Sequence, residues 1–436
     1  MNQPRQSLIT LFGFTFLTSA TYSVARAVGV SLFIARMGSD ALPAALAASA
    51  ILVIAVSGLT HLVNRHVSPR STLIATWILM AAFTLWLEVM IASDHHSVYL
   101  LGMLYVMAEI RGCVNTIYAT TMVNNAFADS ESKRPFVLIA AGAPIAGILM
   151  GLLMSYEASV LPDTAWLKLI IGLDTVTIIL MRWIPKVPPA KITSPDTTKS
   201  AANKRRKNLL KKGLWSMRRI PASPAIYRYR YGLVSLIACN VFAVTMVDYQ
   251  WKVITGNHLD AEAQLLTYFA GFYAINDILI VLVQFTVATK LLDRYGIGMP
   301  LCAYPLMLSV LGLIALINQS PLVLIILFTV GQGMTVLKRS MYDPGLTSAY
   351  GVLPPRIRSD TILLIKGVVK PLIEAMVAVG LLLMASRMNS NQITLTWLAA
   401  LIPWFLLSSW VAHTYDSWTS NSDDAPSVSR LKLSER

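Results

Sequence analysis

The chain has 436 residues, of which 55% are hydrophobic and only 13% charged, and its 36 Lys and Arg against 22 Asp and Glu give a formal net charge of +14. Soluble domains carry roughly 25% charged residues, so this composition excludes a disordered chain, a coiled coil and an ordinary water-soluble enzyme. A basic excess is a common mark of nucleic-acid binding, but that requires a charged soluble face, and a mean hydropathy of +0.60 points instead to repeated membrane crossing.

A bilayer core is crossed by about 20 apolar residues of helix. Twelve such stretches follow one another, at 8–33, 42–63, 72–92, 97–120, 135–155, 165–184, 231–253, 264–289, 297–318, 321–342, 360–386 and 392–414. The first is too long for a signal-peptide core and is followed by more spans, so it reads as an uncleaved helix. The expected fold is all-α and membrane-integral, with twelve transmembrane helices in two six-helix pseudo-repeats. The expected organisation is a first half over 1–184, a linker over 185–230, a second half over 231–414 and a tail over 415–436.

The linker opens with Pro185, Pro188, Pro189 and Pro195, which break helix. From Arg182 to Arg230 the chain holds 14 Lys and Arg and one acid, Asp196, so this segment carries nearly all of the net charge. Its run KRRKNLLKKGLWSMRRI (204–220) is either a solvated topogenic block or an interfacial helix on an anionic inner leaflet, with Leu209, Leu210 and Trp215 dipping in. No aromatic platform accompanies it, so no nucleic-acid partner is expected. Basic residues between spans fall mostly on one side, among them Arg5, Arg65, Arg70, Lys133, Arg134, Lys290, Arg356 and Arg358, whereas Arg36, Lys168, Lys252 and Arg387 fall on the other. By the positive-inside rule both termini are cytoplasmic, in a cell inner membrane.

Ionisable side chains at mid-membrane cost roughly 2.5–3.5 kcal/mol on insertion scales, which makes each one a candidate for function. Arg26 lies in span one, Glu109 and Arg111 in span four, Asp174 in span six, Asp248 and Lys252 in span seven and Asp277 in span eight. Lys338 and Arg339 lie near the end of span ten. Lys366, Lys370 and Glu374 recur every four residues in span eleven and so share one stripe. Seven cations against five acids favour an anionic solute. Either the stripe lines a polar passage or it is an internal ion-pair network. The acids Glu109, Asp174, Asp277 and Glu374 are also candidates to carry protons.

The two halves correspond at an offset of about 225 residues. SKRPFVLIAAG (132–142) falls opposite IRSDTILLIKG (357–367), and HLVNRHVSPR (61–70) opposite KLLDRYGIGM (290–299). Asp293-Arg294-Tyr295-Gly296 resembles the loop motif of the major facilitator superfamily. SVARAVGVSLFIARMGSDALP (23–43), ADSESKRPFVLIAAGAPIAGILMG (128–151), VDYQWK (247–252) and YDPGLTSAYGVL (342–353) resemble segments of the bacterial and plastid nucleotide transporters of ATP/ADP antiporter type. Leu346 and Thr347 stand where that family has a Lys-Glu pair, and Gly29 and Val30 where it has Arg-Asp. The resemblance implies parallel halves that rock around a central solute site.

The expected activity is secondary transport of a small anionic organic solute: nucleotide-like, an organic phosphate or a carboxylate. A proton-coupled carrier of another small molecule, such as a siderophore or drug, is the alternative, and a membrane-embedded enzyme or sensor is third. Arg26, Arg111, Lys252, Lys366 and Lys370 are the candidate solute contacts. Glu109, Asp248, Asp277 and Glu374, with Asp293, Arg294 and Asp343 from the motifs, are the candidate coupling or gating groups. Cys113, Cys239 and Cys302 are widely spaced, with no metal or disulfide pattern. The chain has no P-loop, HExxH or GxSxG. No cofactor is expected, nor any enzymatic activity, and the protein is expected to act as a monomer.

Overall fold

The structure is a computed structural model that describes residues 3–63, 67, 69–93, 97–126, 139–183, 223–259, 261–284, 286, 296–318, 320–384 and 387–420. Its elements are helices: α1 (Gln3–Met37), α2 (Leu42–Val63), α3 (Pro69–Ser93), α4 (Val98–Ala126), α5 (Gly142–Glu157), α6 (Asp163–Met181), α7 (Pro224–Gly256), α8 (Glu262–Val283), α9 (Gly298–Ile317), α10 (Pro321–Gly351), α11 (Asp360–Met384) and α12 (Ser390–Ser420). Among the described residues eleven of these are long and apolar enough to cross a membrane. The exception, α5, has 16 described residues, and the start of its predicted span lies outside the described residues. This is the expected all-α, twelve-span architecture. The basic segment 204–220 and the pair Asp293 and Arg294 also lie outside the described residues.

Local chemistry sets the helix ends. Proline opens α7 and α10, where its missing N–H costs no hydrogen bond. Gly38 ends α1 with a φ of 77°, a conformation glycine enters without a Cβ clash. Among the described residues two helices depart from α geometry mid-course. In α10 the turn Lys338–Tyr342 is π-helical and precedes Pro344; in α11 the turn Ile365–Val369 is π-helical and precedes Pro371. Each proline lacks a donor and crowds the carbonyl four residues back, so the ladder widens there.

Within each set of six, α1 packs on α4 and α6, α3 on α6, α7 on α12 and α9 on α12. The sets meet along two main seams, α5 against α8 and α2 against α11, with α1 also against α8. If α7–α12 repeat α1–α6, these two seams are the same pairing related by a two-fold. The α5–α8 seam is close because two glycines line it. A Cβ on Gly151 would lie 2.7 Å from the Ala270 carbonyl oxygen and 2.8 Å from the Ala274 Cβ, and one on Gly147 would collide with the Asp277 carboxylate. Such small-residue contacts are how membrane helices approach without a hydrophobic driving force.

Candidate functional site: charged side chains between the two halves

Most intramembrane charges converge where the halves face each other. On α7, Asp248 and Lys252 are one turn apart and pair at 2.7 Å. Lys252 is fully buried and also donates to Tyr105 Oη of α4 at 3.2 Å, so it bridges the halves. Gln332 of α10 donates to the second Asp248 oxygen at 2.9 Å. This pair is therefore satisfied from three helices.

The rest of VDYQWK has other duties. Gln250 donates to the Ser390 and Thr394 hydroxyls and accepts from Trp397 Nε1, which ties α7 to α12. Trp251 is buried against Phe269 and Phe272 and donates to Tyr268 Oη of α8.

Arg26 of α1 stands 4.4 Å over the Tyr273 ring of α8, a cation–π contact. Its Nε and the Tyr273 hydroxyl are both buried with no hydrogen-bond partner among the described residues. No carboxylate lies within 4 Å of its guanidinium among the described residues, although Glu109 and Asp248 are within electrostatic reach. Glu109 of α4 likewise has no Lys or Arg within 4 Å among the described residues. Gly112 leaves room for the neighbouring Tyr22 ring, which a Cβ would meet at 2.6 Å.

A second group lies on α10 and α11. Lys370 pairs with Glu374 at 3.7 Å, and Arg339 with Asp277 of α8 at 3.5 Å. Lys338 lies within reach of Asp343, Lys370 and Glu374, and Lys366 is exposed; among the described residues neither has a carboxylate within 4 Å. Cys113 of α4, hydrogen-bonded to Ser57 of α2, lies within reach of Lys370, Glu374 and Glu109. Lys370 and Glu374 of the α11 stripe thus lie toward the first half.

Arg111 is elsewhere. Its guanidinium makes a bidentate pair with Asp174 of α6 at 2.9 and 2.7 Å, and donates to Thr84 Oγ1 of α3 at 2.7 Å and to the Met80 carbonyl oxygen at 3.3 Å. Both partners are buried. The pair belongs to the first half alone and lies apart from Arg26 and Lys252. Setting it aside leaves six cations against four carboxylates (Glu109, Asp248, Asp277, Glu374), so the basic excess survives. Of the DRYG loop only Gly296 is described, with a φ of 61°. Asp343 heads the last segment of α10 beside the buried Tyr342, whose hydroxyl accepts from Trp404 Nε1.

Sequence reasoning missed one cluster, at the helix ends nearest Arg36. Arg36 pairs with Asp163 of α6 and, at 3.0 Å, with Glu262 of α8. Nearby, Ser39 donates to Asn257 at 2.7 Å. The Arg36–Glu262 and Ser39–Asn257 contacts join the halves at one end of the bundle. Their sequence signal was a charge within a residue or two of three helix ends predicted to lie on the same side.

The Major Facilitator Superfamily profile matches residues 6–365. The chain belongs to this superfamily. It is a multi-pass membrane transporter of small solutes rather than an enzyme. Similar solved structures include the nucleoside transporter NupG (13% identity, 96% of this chain and 99% of that one, TM-score 0.58). They also include the human organic anion transporter MFSD10 (14%, 93% and 99%, 0.59) and a POT family transporter in complex with 5-aminolevulinic acid (10%, 94% and 96%, 0.66). At these identities the likeness is one of fold. Among curated protein sequences none matches.

Proposed function

We propose that this transporter is a secondary carrier of a small organic anion, worked by alternating access between residues 1–184 and 231–414. The observation that carries the reading is the group of intramembrane cations without carboxylate partners within 4 Å among the described residues: Arg26, Lys338 and Lys366. Exposure of such groups to lipid would be costly, and facing a passage between the halves removes that cost. An anionic solute would then complete their pairing. An organic phosphate or carboxylate fits, and the segments VDYQWK and YDPGLTSAYGVL favour a nucleotide-like member of that class. Within this reading Arg111 with Asp174 holds α3, α4 and α6 together and does not touch solute. The Arg36 end faces outward across the inner membrane, both termini are cytoplasmic, and the basic run 204–220 rests on anionic inner-leaflet lipid. A monomer contains all the proposed parts.

A second reading, proton coupling, is favoured by Glu109, which has no cation within 4 Å among the described residues. Uptake into proteoliposomes, tested against nucleotides, sugar phosphates and carboxylates, decides the first reading. Saturable flux of at least one anion is expected, and no anion flux in folded protein would overturn it. Lys366→Ala and Lys370→Ala should each reduce that flux at least tenfold; wild-type flux in both would place the solute elsewhere. Collapse of accumulation by a protonophore would select proton coupling over exchange.

A further inference from the structure

The cations between the halves are not at one depth. Counting back from the helix ends nearest Arg36, at 1.5 Å per residue, Arg26 lies about 16 Å in, level with Glu109 and Tyr273. Lys370 lies about 21 Å in, Lys338 about 25 Å and Lys366 about 27 Å. The two levels are electrostatically linked: Glu109 is within reach of Arg26 on one side and of Glu374 on the other, and Glu374 is within reach of Lys370 and Lys338. Each level also has its own construction. The upper one is an arginine with a buried, unpartnered Nε beside a buried, unpartnered tyrosine hydroxyl. The lower one is Lys338 and Lys366, each on a π-helical turn (Lys338–Tyr342 and Ile365–Val369), with Lys370 directly after the second turn.

We propose that the solute carries an anionic group at each end, about 10 Å apart along the helix axes, one bound by Arg26 and the other by Lys338 and Lys366, with Lys370 between the two levels. This rests on the anion reading above and narrows it. A planar fork such as Arg26 suits a carboxylate or one face of a phosphate, whereas clustered ammonium groups act as point charges around a phosphate. A molecule reaching both levels gains by linkage: its second end binds as an intramolecular event, and the gain is greatest when its length matches the span. A monoanion occupies either level without that gain.

The test is binding of methylphosphonate, acetate, and α,ω-alkane bisphosphonates and dicarboxylates of increasing chain length to the purified full-length protein, read by tryptophan fluorescence and thermal stabilisation. Affinity is expected to peak at the length whose extended span is about 10 Å, at least tenfold above the matching monoanion. Arg26→Gln and Lys366→Gln should each abolish the peak and return the best compound to monoanion affinity. Lys366 is exposed, so its variant reports even if Arg26→Gln folds poorly. Monoanion binding with no length dependence would overturn the two-ended solute and leave the anion reading standing. Failure of every anion to bind folded protein would overturn both.

Discussion

Two arginines at similar depth illustrate how environment divides roles among residues of one type. Arg111 satisfies its guanidinium with Asp174, Thr84 and a backbone carbonyl. Arg26 has only a tyrosine face and distant carboxylates. Removing one member of a buried pair strands the other, at a cost of about 3–5 kcal/mol. Arg111→Gln is therefore expected to lower the melting temperature sharply, and Arg111→Gln with Asp174→Asn to recover much of the loss. Arg26→Gln strands no paired carboxylate; it should melt near wild type while uptake of the transported anion falls at least tenfold. If the two variants behave alike in melting and in uptake, the division of roles is wrong. Both arginines were legible in the sequence as intramembrane charges. The separation of roles was not, because Asp174 is 63 positions from Arg111 and nothing local marks the pairing.

At the scale of the element, the apolar stretches were legible because a bilayer leaves a buried backbone little alternative to helix and fixes helix length. Gly147 and Gly151 form a GxxxG, a spacing that permits close helix contact, but nothing local marks its partner: the seam joins Gly151 to Ala270 and Ala274, well over a hundred residues away. The π-helical turns lie where prolines interrupt the ladder, yet the sequence shows only the prolines; whether a helix kinks or widens depends on what packs around it. The glycine seam is a physical stop that lets α5 and α8 close. A side chain at Gly151 would meet backbone, which yields little. Gly151→Val should hold the halves apart there, lengthening the distance between spin labels on α5 and α8 and lowering the transport rate. An unchanged distance distribution with normal transport would mean that the seam is not part of the moving interface.

For the whole molecule, alternating access requires that the interface at one end part while the other closes. In this structure the halves are joined at the Arg36 end, by Arg36 with Glu262 and Ser39 with Asn257. Arg36 and its two carboxylates are partly exposed, with side-chain exposures of 13%, 28% and 27%, so water can take over their solvation when they separate. That suits a contact made and broken in each cycle better than a permanent brace. The sequence assigned Arg36 to the outer side as a topology signal only, since charges at helix ends usually face solvent. The two carboxylates differ in what they hold. Asp163 belongs to the same six helices as Arg36, whereas Glu262 belongs to the other six. Glu262→Gln should therefore loosen the sealed end and Asp163→Asn should do so much less. Spin labels at Asp40→Cys and Gln264→Cys, with the three native cysteines replaced by serine, would read this as a population shifted to longer distances in the first variant only. Raising the salt concentration should shift the wild type the same way, because partly exposed pairs are screened. Equal distance distributions in both variants would mean that apolar contacts such as Ile34 against Gly256 hold the end closed without the ion pair.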